Sequence, residues 1–123
     1  MKTWSIKYAD RLFGQYIVAR DKKCQNPLCK TPSSRLDCSH YFVRQHYATR
    51  FDPENCIALC VNCHVFNKDN WENDRLKEYY NFMLKKLGKK KFEALKQKHY
   101  KDVKRRNAII ELQETLERLK KTP

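Results

Sequence analysis

Glycine and proline are scarce, with two glycines and four prolines in 123 residues. That argues against a sandwich or barrel closed by many tight turns. No apolar run approaches the length of a membrane span, and the first residues lack the apolar stretch of an export signal. The expected partners therefore do not include a membrane. Acidic residues are also short, 14 against 27 lysines and arginines, which leaves a formal charge of +13. Disorder is excluded in turn, because 41% of the residues are apolar and 12% aromatic. A chain of this length can bury one modest core.

What is present is concentrated. Thirteen bases and three acids fall in residues 75–106, a charge of +10 in one stretch, while residues 24–70 are nearly neutral. A run of this kind is either a solvated lysine-rich face or the footprint of a phosphate-backbone binder. The six cysteines, Cys24, Cys29, Cys38, Cys56, Cys60 and Cys63, are all in the neutral stretch. With no export signal, a metal site in a reducing, cytoplasmic compartment is expected rather than a disulfide framework.

Hydrophobic spacing gives a coarse, mostly helical α+β outline. Ala9, Leu12, Phe13, Tyr16 and Ile17 predict an amphipathic helix over residues 4–21. Residues 24–34 read as a cysteine-bearing loop, 35–43 as extended chain, and 44–55 as a loop through Asp52-Pro53. A short helix is expected from Leu59. A longer one, capped by Asn70 or Asn73 with Glu72 and Asp74 in its first turn, presents Leu76, Tyr79, Tyr80, Met83, Leu84 and Leu87. Gly88 is expected to end it in a left-handed cap. Beyond it, Phe92, Leu95, His99 and Val103 form one stripe, and Ile109, Leu112, Leu116 and Leu119 another. Their different phase predicts a bend near 104–108, and the second stripe serves either packing or a homodimer seam. The outline divides into a core with its following helix over 1–88 and a basic, amphipathic helical extension over 89–123.

Cys24 and Cys29 form a C-x4-C pair, and Cys60 and Cys63 a C-x2-C knuckle. Two such pairs some thirty residues apart can set four thiolates tetrahedrally around one structural Zn2+. Cys38 and Cys56 fall outside the knuckles and read as small buried hydrophobes.

Interleaved with the knuckles are His40, Asn55 and His64, the last directly after Cys63. Ser39-His40, Asn55 and Leu59-Cys60-Val61-Asn62-Cys63-His64 together resemble an HNH endonuclease of the ββα-metal fold. From Leu12 to about Leu95 the chain is most similar to the phage NinG (Rap) recombination nucleases. That likeness is carried by Tyr16 to Asp21, Ser39 to Arg44, and Ala48 to Asn55. It implies a metal-dependent DNA endonuclease that hydrolyses phosphodiester bonds in phage recombination or DNA processing, on branched or structured DNA, in the host cytoplasm. His40 matches the general base, which a neutral imidazole suits. Asn55 matches the asparagine that orients it, and His64 the ligand of a catalytic Mg2+ or Mn2+. Many HNH enzymes carry an acid or a second histidine before the base, where this chain has Ser39. Asp37, on the same strand face, and Asn67, one turn after His64, are candidates to complete the metal shell.

Arg44 and Arg50 flank the loop between base and asparagine and are candidate phosphate clamps, or else structural partners of Asp52 or Glu54. Lys85, Lys86, Lys89, Lys90 and Lys91 are the candidate DNA-binding residues of the basic helices. His46 and His99 have no such register. Two other readings stand beside the nuclease: a zinc-stapled DNA-binding module without catalysis, and an RNA-directed HNH-like nuclease.

Overall fold

The computed structural model describes residues 2–29, 35–66 and 77–120. The proposed metal-shell residue Asn67, the caps Asn70 and Asn73, the acids Glu72 and Asp74, and Leu76 lie outside them. The architecture is α+β, a two-stranded antiparallel sheet surrounded by helices.

Helix α1 spans Ile6–Asp21. Ser5 caps it by accepting a hydrogen bond from the Tyr8 amide, and Lys22 ends it in the left-handed conformation (φ 66°). Ala9, Phe13 and Ile17 recur every four residues and are its buried face. Strand β1 is Leu36–His40 and strand β2 is Cys56–Cys60, in the register Leu36↔Cys60 to His40↔Cys56. Strand β2 is buried at every position. Its outer edge is not left open, for Asp21 Oδ2 accepts the Ala58 amide (2.8 Å) and the Gln25 amide donates to the Ala58 carbonyl (2.9 Å).

This corrects the short helix expected from Leu59. Cys56-Ile57-Ala58-Leu59 is a strand covered on both sides, so it carries no alternation to mark it as one. The helical turn follows it, a π-turn over Asn62–Phe66. The segment 44–55, expected as loop, also contains a one-turn helix α2 at Tyr47–Arg50 and a 3-10 turn at Pro53–Asn55.

Helices α3 (Glu78–Leu87) and α4 (Lys89–His99) meet at Gly88, and α5 runs Arg105–Lys120 after a break at residues 100–104. Gly88 is not in the expected left-handed cap. Its φ of 84° with ψ of 157° lies in a region open essentially to glycine alone. One core cluster joins Ile57 and Leu59 to Tyr41, Tyr79, Met83 and Phe92. The other joins Cys56 to Ala9, Phe13, Ile17, Ile109 and Leu112, so the second stripe packs on α1. Buried Gln113 fastens the N-terminal segment to α5, accepting the Trp4 amide (2.9 Å) and donating to the Lys2 carbonyl (3.2 Å). Among the described residues no helix is long and apolar enough to cross a membrane.

Candidate metal centre and active site

Four thiols meet where the loop after α1 passes the end of β2. Cys24, Cys29, Cys60 and Cys63 bring their Sγ atoms within 4.8 Å of one another, with Cys29 and Cys60 3.8 Å apart. A tetrahedron with metal–sulfur bonds of about 2.3 Å has edges of about 3.8 Å, so the cluster fits a closed structural ion. Asn26 builds the first knuckle. Its carbonyl accepts the Cys29 amide (3.1 Å), its side chain accepts the Leu28 amide (2.9 Å), and its Nδ2 donates to Cys63 Sγ (3.4 Å). Burial pushes the Cys29 and Cys63 thiols above their ordinary range and Cys60 and Cys24 push the same way, against the lowering contacts of Cys63 on Cys29 and of Asn26 on Cys63. A divalent cation is the charge that would compensate four thiolates here.

His40 is the last residue of β1. Its Nε2 donates to the Arg50 carbonyl (2.8 Å), and since a carbonyl only accepts, the lone pair lies on Nδ1. Burial lowers the imidazole to about 4 despite the carbonyl bond, and the Arg50 and Arg44 charges push the same way. The ring is thus neutral at neutral pH.

Asn55 acts at one remove from the imidazole. It is fully buried and closes the 41–50 loop on itself: Nδ2 donates to the Phe42 and Thr49 carbonyls (2.9 and 3.1 Å), and Oδ1 accepts the Phe42 amide (2.8 Å). The expectation that Asn55 itself holds His40 is corrected. A buried amide takes the backbone groups the loop leaves unpaired, and the carbonyl next to Thr49 is the one that receives His40.

His64, in the π-turn, places Nδ1 3.2 Å from Asp37 Oδ2. Two candidate ligands are therefore brought together, an imidazole and a carboxylate suited to one divalent ion with waters. Exposed Arg35 also pairs with Asp37 (3.2 Å). Ser39, two residues from Asp37 along β1, is buried with its hydroxyl 2.9 Å from that of Tyr79.

Arg50 is not an open phosphate clamp. Its guanidinium is bidentate on Asp10 (3.0 and 2.6 Å) and reaches the Arg44 carbonyl (3.1 Å), tying the loop to α1. The structural partner is Asp10, neither Asp52, which pairs with Lys98 (2.8 Å), nor Glu54. Arg44 is exposed and, with Asp10, Arg11, Asp37, Cys38 and His40, lines a cleft of about 490 Å³ between α1 and β1. Lys85, Lys86, Lys89, Lys90 and Lys91 are all exposed around the α3–α4 junction.

Two arrangements escape a reading of the sequence. The rings of Phe42 and His99 stack at 4.0 Å, with His46 edge-on to His99 at 4.9 Å. Cys38, His40 and Cys56 also bring one donor atom each within 4.8 Å of the others. The signal for that cluster was the parity of Cys38 and His40 on one strand, but Cys56 joins them only through the strand register. No protein-family model matches the chain, and neither a curated protein nor a solved structure matches it.

Proposed function

We propose that the chain is a metal-dependent HNH-type endonuclease that hydrolyses phosphodiester bonds in DNA. One observation carries the reading: a neutral imidazole, fixed by a loop carbonyl, shares a cleft with Asp37, which is paired with His64. The strand–strand–helical-turn order that bears these residues is the order a ββα-metal core requires.

In this reading His40 Nδ1 takes a proton from water as the water oxygen bonds to phosphorus and the bond to the 3′ oxygen breaks. Arg44 pairs with a phosphate oxygen at the cleft mouth. Asn55 is a positioning residue, because it shapes the loop whose carbonyl sets the tautomer of His40. Mg2+ or Mn2+ held by Asp37 and His64 would neutralise charge on the phosphate and the leaving oxygen. Zn2+ in the four-cysteine cluster would staple the fold. The exposed lysines at the α3–α4 junction supply affinity for the backbone, and the resemblance to the recombination nucleases points to branched or structured DNA.

The test is supercoiled plasmid incubated with pure protein and Mg2+ or Mn2+, followed by a panel of nicked, flapped and four-way-junction DNAs. Relaxation or linearisation that EDTA abolishes is expected. Binding without any cleavage would favour the zinc-stapled DNA-binding module, which the burial of Ser39 against Tyr79 also supports.

A further inference from the structure

The face of the β1–β2 ribbon turned to α1 carries three donors that the proposed hydrolysis does not combine. Cys38 and His40 stand two residues apart on β1 and so share a face, and Cys56 lies opposite His40. One donor atom from each lies within 4.8 Å of the other two. Tetrahedral zinc with two sulfurs and one nitrogen needs separations of about 3.5–3.8 Å, which side-chain adjustments of under about 1 Å would reach. Ligating histidines characteristically donate their second ring N–H to a carbonyl or carboxylate, and His40 already donates Nε2–H to Arg50. Cys38 and His40 also form part of the cleft wall, which gives an ion a way in.

We propose that Cys38, His40 and Cys56 form a second metal site, a Cys2His set for one thiophilic divalent ion such as Zn2+, and that filling it silences the base. Binding breaks two S–H bonds, releases both protons to solvent and forms two metal–sulfur bonds, with no change of oxidation state. The imidazole gives its Nδ1 lone pair to the ion and can no longer accept the proton of water. Two thiolates neutralise the +2 charge, so the ion can be held beside buried Cys56. Three ligands hold less tightly than four, so this site fills after the four-cysteine cluster. Burial keeps the Cys56 thiol well above its ordinary range, and neighbouring Cys38 pushes the same way, which weakens the site further. The silencing half rests on the reading of His40 as the base, whereas the binding half does not.

The experiment adds Co2+ to reduced protein as isolated and follows the sulfur-to-cobalt charge-transfer band. Co2+ binds more weakly than Zn2+ and leaves a zinc-filled cluster in place. The band should saturate at one further ion per chain and be lost in Cys38→Ser. Because Cys56 is fully buried, Cys56→Ala, a small apolar replacement, is the second variant, and circular dichroism checks both folds. Absence of the band, or an unchanged band in folded Cys38→Ser, overturns the site whatever the activity.

A second arm measures plasmid cleavage in Mg2+ with added Zn2+. Loss of a partner one shell out commonly costs 10- to 100-fold in metal affinity, so Cys38→Ser should need at least about tenfold more Zn2+ for half-inhibition. Equal inhibition of both proteins, with the cobalt band present, overturns the silencing while the site stands. No cleavage by either protein without added Zn2+ overturns the nuclease reading and the silencing with it, and the spectrum still decides the site.

Discussion

At the Leu36–Cys60 end of the ribbon, four thiols of one kind converge and leave no position for a substrate. Along β1 toward the His40–Cys56 end, an imidazole, a carboxylate, a thiol and a guanidinium line an open cleft instead. A uniform and closed donor set serves to hold chain segments together. A mixed and open one can take up a proton, a phosphate and a hard cation. The comparison also shows why the two belong together. A two-stranded ribbon alone is marginal in water, and the cysteine cluster fixes the end of β2 from which His64 is presented.

The sharpest way to break that division is to open the cluster. Cys60→Ser should lose the zinc proposed for the cluster and the cooperative thermal transition together, read by elemental analysis and melting. Zinc binding in small domains amounts to folding free energy. Wild-type melting in a zinc-free variant would remove the structural role.

Asn55→Ala is next, because Asn55 closes the loop whose carbonyl holds His40. Three hydrogen bonds of a buried side chain go at once, and the backbone groups left behind should cost about 3 kcal/mol in denaturant unfolding. Cleavage should fall too, since the Arg50 carbonyl loses its support. Lost cleavage with unchanged stability would mean that Asn55 acts on the chemistry directly.

Asp21 tests the packing behind β2. Burial pushes its carboxyl up, but the Arg20 hydrogen bond and the Ala58 amide outweigh this and leave it below the ordinary carboxylate range. The folded state therefore binds this proton less readily than the unfolded chain. The stabilisation is complete above about pH 4 and is lost as pH falls through the depressed folded value. Asp21→Asn should cost about 1–2 kcal/mol at neutral pH and show less acid sensitivity. An unchanged acid limb in the variant would assign that sensitivity to other groups.

The smallest structural effect is expected at the basic junction. Replacing Lys85, Lys86, Lys89, Lys90 and Lys91 by glutamine should weaken DNA binding with little change in melting. The log–log salt dependence should flatten by about one unit for each phosphate that is no longer neutralised. An unchanged slope would place the DNA on another face.

Much of this was legible in the sequence where the signal was local. The four-residue repeat of Ala9, Phe13 and Ile17 marks α1, and the two cysteine spacings pick out the four cluster residues. Asp37 and His64 were separately identifiable as ligand types, yet their pairing across 27 residues needed the fold. Strand β2 was hidden because a strand buried on both faces shows no alternation. The Asp10–Arg50 pair was hidden because it spans 40 residues, and nearer acids offered themselves to Arg50 first. The bonds of Asn55 to the Phe42 and Thr49 carbonyls are not legible, because backbone carbonyls leave no trace in a sequence.

The measurement closest to the central claim is plasmid cleavage by purified His40→Ala, with zinc content and melting taken on the same preparation. The rate should fall by about 10²- to 10⁴-fold, the usual worth of a general base, with zinc content and melting near wild type. A wild-type rate from the variant, in protein freed of host nucleases, would contradict it.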